Sequence, residues 1–366
     1  MITFNKIWLR LGDHPYQTRG LRVLQVVIGL ALLFRVFTEA PYASYFWGPN
    51  GITQGVREAT VPVVPPSLTD IVFSTDQNAW LVLAVLTVSS LGLVFGIKTR
   101  LSTVGTCVGF ALIQNRLPYL NDGGDNITQI MLIYMMFALP ADASYTRGGL
   151  KVWFHNLAIV AIFLQLIILY ATSGLAKVSG SKWDHGVAVY YISQVEWFSL
   201  PGVRHLLTNS VFVTFATYVP MLYQVFFPFA IFSRLKLPWL AVGILFHLGT
   251  VAFMGLVTFG TVMIGLELFL ITDEEYVGLY AEAQQFRAHP PMLLSSMRSL
   301  ATSFSFQVGK HPFDELKSNR KAIFAFRHAH QHPGRAKGST NKNAVESGQE
   351  SVTTITTKDE GCLQQD

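Results

Sequence analysis

The sequence predicts an all-α, polytopic transmembrane helical bundle, and three observations predict it. Of the 366 residues, 51% are apolar and only 13% are charged, whereas a soluble domain carries roughly 25% charged residues. The mean hydropathy is +0.37. The apolar residues also form long blocks with the charges at the block ends, which is the pattern of a chain that crosses a bilayer.

The apolar blocks predict about eight membrane spans. A span needs roughly 20 apolar residues, with some scatter. The eighth block is short and follows the seventh almost directly. We therefore expect these two to form a tight helical hairpin, or one of them to be re-entrant, and seven spans is the alternative count. The predicted spans are residues 21–39, 80–97, 101–117, 126–140, 153–174, 209–232, 237–257 and 259–272.

Composition divides the chain into four segments. Residues 1–20 form a cytoplasmic N-terminal segment, 21–275 the transmembrane domain, 276–306 a membrane-proximal segment and 307–366 a polar tail. The tail has few apolar residues. Because it cannot bury enough surface to offset its chain entropy, we expect it to be disordered.

The basic residues predict the orientation and the partners of the chain. The net charge is +5, but Lys and Arg lie mainly beside the span ends that face the cytoplasm if the N-terminus is inside. This pattern predicts a multi-pass protein of the cell membrane with both termini cytoplasmic. Membrane lipid is the expected partner, and nucleic acid is excluded. The two cysteines and the histidines show no spacing that predicts a metal site or a disulfide framework.

Lys177 is the strongest candidate for a working residue. The fifth span ends in the small residues Ala171, Thr172, Ser173 and Gly174, which allow close approach of another helix or a ligand. Lys177 follows at the predicted outer boundary. A lysine that is partly removed from water can serve as a general base. The alternative is an ordinary lysine that anchors a helix end by reaching to the headgroups.

A second polar motif, Asn121-Asp122-Gly123-Gly124-Asp125, lies directly before the fourth span. One of its acids, Asp125 in our interpretation, is expected to cap that helix at its positive end. The functional alternative is a carboxylate pocket that faces Lys177, because both segments are predicted on the outer side.

Several polar or ionisable side chains lie within predicted spans. Such residues are costly in hydrocarbon and usually face a bundle interior or a wet cavity. The purely structural interpretation of each is a hydrogen bond to a neighbouring helix. Arg35 has Glu39 one helical turn later, which predicts a local ion pair. The residues are Arg35, Gln165, Gln224, His247 and Glu267.

At this point the residues resemble a known family. The run SGLAKVSGSKWDHGVAVYY (173–191), with Arg35, YASYFWGPNG (42–51) and NDGGDNI (121–127), resembles the HTTM (horizontally transferred transmembrane) family. That family is similar to the membrane part of vitamin K-dependent γ-carboxylase. The stretch HLGTVAFMGLVTFGTVMIG (247–265) resembles the bacterial, sporulation-delaying protein B-like branch. The resemblance covers about residues 15–275.

Three alternative functions follow, two of them implied by the resemblance. The first is maturation or export of a secreted antimicrobial peptide, with that peptide and an accessory maturation protein as partners. The second is a carboxylase-like membrane enzyme in which Lys177 acts as base on a quinol-type cofactor, with Asp122 and Asp125 beside it. The third, a transporter or an immunity-type binding protein, comes from the residues instead, because buried polar groups such as Gln224 and His247 fit it as well. The predicted site further includes Arg35, Asn121, Trp183, Gln224 and His247, and no metal.

Overall fold

A computed structural model describes residues 11–52, 64–140, 144–196, 199–200, 202 and 207–288. Over these ranges the chain forms helices and no strand, as the sequence predicts. The predicted tail, the segment after Ala288 and residues 1–10 lie outside the described residues.

Five helical stretches in the described part of the chain are long and apolar enough to cross a membrane. Helix α1 (Thr18–Glu39) continues through a 3-10 turn (Ala40–Tyr42) into the short α2 (Ala43–Trp47). The outward side chains of these stretches are apolar as well, including Phe37, Val88, Phe229 and Leu245. Because water would not tolerate so large an apolar surface, the protein is a helical membrane protein. The other four helices are α4 (Asp76–Phe95), α7 (Leu150–Val178), α10 (Ser210–Ala230) and α11 (Lys236–Met254).

The three remaining predicted spans also correspond to helices, but these are shorter or more polar. They are α5 (Thr99–Arg116), α6 (Gly123–Met135) and α12 (Val257–Phe269). Helices α6 and α12 have 13 residues each, about 20 Å of rise, which is less than a bilayer core. Both bury more than half of their residues against neighbouring helices. The predicted spans 126–140 and 259–272 extend beyond the C-terminal ends of these two helices, Met135 and Phe269.

Short helices connect the long ones. One of them, α9 (Ala188–Gln194), follows the run that contains Lys177. The backbone N–H of Val189 in α9 donates to Thr217 Oγ1 of α10 at 3.3 Å, which places α9 against the bundle. The short elements are α3 (Pro66–Val72), a 3-10 turn (Pro118–Leu120), α8 (Ser181–Asp184), α9 (Ala188–Gln194) and the longer, polar α13 (Asp273–Ala288).

Helix α12 lies at the centre of the packing. It contacts α1, α6 and α11, while α7 packs against α10 and α4 packs against both α1 and α5. The core between these helices is apolar, with Leu24, Ile28, Phe110 and Leu266 fully buried. A short helix in this position gains its stability from tertiary packing rather than from its own length.

The α11–α12 connection is a tight hairpin, which confirms one of the two alternatives for the last spans. Only Gly255 and Leu256 separate the helices, and Gly255 has a φ of 72°. This left-handed conformation favours glycine because it has no Cβ. The hairpin brings His247 of α11 next to Glu267 of α12.

The beginning of α1 and the end of α12 lie on the same side of the bundle. The backbone N–H groups of Thr18 and Arg19 donate to the Asp273 carboxylate at 2.9 and 2.8 Å. A carboxylate at a helix N-terminus satisfies free N–H groups and the helix dipole. The cytoplasmic location of this side stays a prediction.

Candidate functional site

A cavity of about 820 Å³ lies among helices α6 to α12. Its size is within the range of ligand sites, roughly 300–1,000 Å³. Its walls are mainly apolar and aromatic, with Phe246, Phe253 and Phe259 among them. A few polar side chains interrupt these walls, which is the usual composition of a site that binds an apolar ligand and orients it.

Lys177 lies on this cavity, in the last turn of α7. Its Nζ donates to Ser173 Oγ at 2.8 Å and lies 5.2 Å from the centroid of the Trp183 ring. Carbonyl groups at a helix C-terminus and an aromatic face both stabilise a cation. Among the described residues no carboxylate forms an ion pair with Lys177, so its charge is available to a ligand.

Gly174 explains how α7 approaches α10 so closely behind Lys177. A Cβ at Gly174 would lie 2.8 Å from the backbone nitrogen of Val225 and 3.0 Å from the carbonyl carbon of Gln224. Any larger residue would therefore push the two helices apart. The small-residue run at the end of the fifth predicted span serves a helix–helix contact here, as the sequence suggested.

One end of the cavity is bounded by a hydrogen-bonded group that we call the Glu267 cluster: Tyr170, Tyr223, His247 and Glu267. Both tyrosine hydroxyls donate to Glu267 Oε1 at 2.7 Å. The Tyr170 oxygen also lies 2.8 Å from His247 Nε2. Tyr170 and His247 line the cavity, whereas Glu267 is fully buried behind them.

The Glu267 cluster determines the tautomer of a neutral His247. Since the Tyr170 hydroxyl gives its one proton to Glu267, its oxygen accepts a hydrogen bond from His247 Nε2–H. The other ring nitrogen, Nδ1, then carries a lone pair and can only accept. Nδ1 has no hydrogen-bond partner among the described residues.

Gln224 presents a second acceptor of the same kind. Its side chain lines the cavity and is 6% exposed, and His247 is 1% exposed. Gln224 Oε1 is buried without a hydrogen-bond partner in the described part of the chain. Buried polar atoms are usually paired in folded proteins. Gln224 Oε1 and His247 Nδ1 are two exceptions among the described residues, and both atoms lie within the packed bundle behind the cavity surface.

A second buried polar group, the Arg35 cluster, consists of Arg35, Glu39 and Asp125. Arg35 Nε lies 3.1 Å from Glu39 Oε1, which confirms the local ion pair. Arg35 Nη1 forms an ion pair with Asp125 Oδ1, and both side chains are buried. The cluster therefore connects α1 to the start of α6.

The Asn121–Asp125 motif forms the N-terminal cap of α6, but the capping residue differs from the prediction. Asp122, not Asp125, is the N-cap: its Oδ1 accepts from the Asp125 backbone N–H at 2.9 Å. Asp125 Oδ2 accepts from the Asp122 N–H at 3.1 Å, which completes a capping box. Asn121 Nδ2 donates to the Gln114 carbonyl at 3.0 Å.

The structure therefore separates the predicted site residues into two groups. Lys177, Trp183, Gln224 and His247 line one cavity. Arg35 and Asp125 belong to the Arg35 cluster, Asp122 bonds within the α6 cap, and Asn121 bonds to the Gln114 carbonyl of α5. Gly123 lines the cavity, so the motif borders it while its carboxylates bond elsewhere. A catalytic role for Asp122 and Asp125 beside Lys177 stays a prediction.

Sequence reasoning missed two residues of the Glu267 cluster. Tyr170 and Tyr223 have no local signal, because a tyrosine within an apolar span is ordinary. Glu267 was noted as a carboxylate within a span, and such a residue predicts a buried partner. Nothing in the spacing identified the partners as two tyrosines from α7 and α10.

The chain is similar to two proteins of Bacillus subtilis (strain 168). It is 27% identical to sporulation-delaying protein SdpB over 160 residues, which cover 39% of this chain and 49% of that protein. It is 24% identical to a protein named uncharacterized protein YitO over 212 residues, 53% of this chain and 66% of that one. The matches thus span about half and about two thirds of the relatives' own length. No family model and no solved structure matches.

These similarities support a distant relationship to SdpB, in agreement with the branch that the sequence resembles. They do not extend to the wider HTTM family or to the carboxylase, so those two resemblances stay predictions.

Proposed function

We propose that this protein is a membrane factor needed for the maturation or export of a secreted antimicrobial peptide. The observation that carries this proposal is the similarity to SdpB over 160 residues. That relative's name connects it with a delay of sporulation. The resemblance given above connects its branch with the maturation of a secreted peptide toxin, in which an accessory protein takes part.

The cavity supports the proposal because it provides a place for an apolar substrate within the membrane. Its aromatic walls would bury apolar side chains of a peptide. Lys177 would meet a carbonyl or a carboxylate, since its ammonium group has no acidic partner in the described structure. The same protein could then hold the substrate while another factor acts on it.

The test is deletion of the gene, followed by mass spectrometry of the secreted peptides. We expect the mature peptide to disappear from the medium and its unprocessed form to remain in the cells. Reintroducing the wild-type gene should restore the mature peptide. An unchanged peptide profile after deletion would remove the proposal.

A second candidate is a carboxylase-like membrane enzyme that uses a quinol-type cofactor. One observation favours it: Lys177 lies on an aromatic-walled cavity of a size that accommodates a ring with an apolar tail. The quinol would supply the reducing chemistry when bound. Phe246, Phe253 and Phe259 would contact the ring or its tail, and neutral Lys177 Nζ would accept a proton from its hydroxyl.

Two Lys177 substitutions separate a base from an anchoring charge. Arginine keeps the positive charge but does not release its proton, so it cannot act as a base. A base role predicts that Lys177→Ala and Lys177→Arg both lose at least about 100-fold in peptide processing, the usual contribution of a general base. An anchoring or ligand-binding role predicts that Lys177→Arg stays active.

Lys182 provides the matched control. It belongs to the same sequence run, but its Nζ lies over the Tyr191 ring at 3.7 Å and it does not line the cavity. Lys182→Ala should retain processing. Full activity in both Lys177 variants would eliminate the base role.

A further inference from the structure

Helices α10 and α11 contact each other at two points and leave a window between them. At one end the rings of Phe212 and Phe253 lie 6.4 Å apart. At the other end the rings of Tyr223 and Phe246 lie 6.2 Å apart. Gly249 of α11 lies between these contacts and lines the cavity. In the described part of the chain the nearest atom to a Cβ at Gly249 belongs to Phe253 of the same helix, at 3.9 Å, so α10 does not close the space here.

The rim of this window is apolar and exposed. Val219 of α10 and Val242 and Leu245 of α11 line the cavity, and they are 45%, 41% and 68% exposed. Because lipid tails are as apolar as leucine, exposed apolar side chains on a membrane-spanning helix rest against lipid. A molecule dissolved in the bilayer can therefore reach the cavity between α10 and α11 without crossing a polar layer.

Lys177 places a positive charge on this apolar cavity. Residue pairs along α7 and α10 show that the two helices are antiparallel. Gly174, one turn before Lys177, packs against Gln224 in the second half of α10, so Lys177 lies beside the middle of α10. Charges within a membrane protein's spans are usually paired. No carboxylate among the described residues pairs with Lys177, so a ligand can supply the counter-charge.

Lys177 and Ser173 offer two hydrogen-bond donors side by side. Lys177 Nζ donates to Ser173 Oγ at 2.8 Å, and an ammonium group has further protons to give. Within the described ranges no hydrogen bond uses the Ser173 hydroxyl proton. Both side chains line the cavity, neither is fully buried, and the Trp183 ring beside Nζ lines it too. Two adjacent donors match the two oxygens of one carboxylate.

We propose that the cavity binds a single-chain amphiphile with a carboxylate head group, a long-chain fatty acid, which enters from the bilayer through the window. The carboxylate accepts hydrogen bonds from Lys177 Nζ and Ser173 Oγ, and the chain lies against Phe246 and Phe253. The volume of about 820 Å³ is that of a site for one drug-sized molecule, so it accommodates one apolar chain. This inference goes beyond the proposed function and does not depend on it.

The polar groups favour a carboxylate over a phosphate or an uncharged lipid. A phosphate carries up to two charges and three acceptor oxygens, and proteins hold it with arginine forks or several N–H groups. Lys177 is the only lysine or arginine among the cavity-lining residues of the described chain. An uncharged lipid would leave its ammonium group without a counter-charge.

The test is photocrosslinking of the full-length protein in lipid nanodiscs with a fatty acid that carries a diazirine at the end of its chain. Mass spectrometry locates the crosslinks, which we expect on the cavity-lining parts of α10 and α11. Oleate, its methyl ester and oleoyl lysophosphatidate then compete with the probe. The ester keeps the chain and removes the charge. Oleate should compete at about tenfold lower concentration than the ester, as one hydrogen bond to a charged group implies.

Substitutions test the head-group contact. Lys177→Met should reduce the competition by oleate to that of the ester, and Lys177→Arg, which keeps the charge, should retain most of it. Lys182→Met is the control, because Lys182 lies outside the cavity lining.

A second pair of variants tests the window. Ala216→Trp places a large ring among the cavity-lining residues of α10 and should reduce crosslinking several-fold. Thr214→Trp on the exposed face of the same helix should not. Gel filtration confirms that each variant is folded.

Four outcomes would overturn the inference: equal competition by oleate and its ester, stronger competition by lysophosphatidate, an undiminished oleate preference in Lys177→Met, or equal crosslinking of the two tryptophan variants. These results are independent of the gene deletion. An unaltered secreted peptide after deletion would remove the proposed function and would leave the fatty-acid site to be decided by the crosslinks.

Discussion

The two buried polar clusters of this protein differ in how completely their members are paired. In the Arg35 cluster one guanidinium meets two carboxylates, and Asp125 also completes a capping box. In the Glu267 cluster both tyrosine hydroxyls donate to Glu267 Oε1, but Glu267 Oε2 and His247 Nδ1 have no hydrogen-bond partner among the described residues. The first arrangement connects helices. The second borders the cavity through Tyr170 and His247, so stability and function are expected to separate between them.

The largest expected effect comes from breaking the Arg35 cluster. Arg35→Met leaves the buried Asp125 carboxylate without its counter-charge, which costs about 3–5 kcal/mol. We expect a strongly lowered thermal midpoint, measured by loss of monodisperse protein in detergent. Adding Asp125→Asn removes the stranded charge and should recover part of the loss. If the Arg35→Met variant is as stable as the wild type, the cluster has no stabilising role.

A smaller effect is expected at the α7–α10 contact behind Lys177. Gly174→Ala forces a methyl group against the backbone of Val225 and Gln224, and such overpacking costs about 1–3 kcal/mol. Gly249 in α11 is the control, since its Cβ would meet its nearest neighbour at 3.9 Å. Gly249→Ala should be neutral or slightly stabilising. Equal thermal midpoints for the two variants would show that α7 and α10 do not pack so closely.

A weaker effect on stability is expected at the Lys236–Glu275 ion pair, which lies outside the two clusters. Burial raises the pKa of the Glu275 carboxyl, but hydrogen bonds from Lys236 and Thr272 outweigh it and keep this pKa below its usual value. A carboxyl with a depressed pKa stabilises the fold above its unfolded pKa of about 4.3 and loses that contribution as the pH falls through the folded value.

Lys236→Met should therefore destabilise the protein by no more than about 1 kcal/mol near neutral pH. Its thermal midpoint should approach that of the wild type as the pH falls below about 4. A difference that grows on acidification would have the wrong sign for this pair.

The smallest effect on stability, and the sharpest contrast, is expected at Gln224. Its Oε1 has no partner to lose, so Gln224→Met should change the free energy of unfolding by less than about 0.5 kcal/mol. The same variant should reduce production of the mature peptide. A large loss of stability would place Gln224 with the Arg35 cluster, as a structural residue rather than a ligand-binding one.

The sequence predicts the helices and the local pairs well, because both depend on short-range patterns. Apolar blocks locate every helix of the described chain that is long and apolar enough to cross a membrane. The four-residue spacing of Arg35 and Glu39 predicts their ion pair. The cap of α6 was assigned to the wrong acid. The motif D-x-x-D could have shown it, since a capping box has the N-cap residue three positions before its partner.

The cavity could be predicted only in part. Lys177, Gln224 and His247 were each selected for being polar near or within a span, which carries no information about distance. Their convergence depends on how α7, α10 and α11 pack around α12, and packing is not a local property. The resemblance strengthened Lys177 and added Trp183 from the same run. It missed Tyr170 and Tyr223 because tyrosine is common in apolar helices.

The central claim is that the cavity is where this protein acts, and chemical blocking tests it most directly. Ala216 lines the cavity, whereas the exposed Thr214 on the same helix does not. Each is replaced by cysteine in a chain whose Cys107 and Cys362 are changed to alanine, and cells are treated with a membrane-permeant maleimide. Mass spectrometry then measures both the labelling and the secreted peptide. We expect labelled Ala216→Cys to stop production of the mature peptide and labelled Thr214→Cys to sustain it. Undiminished production by fully labelled Ala216→Cys protein would contradict the claim.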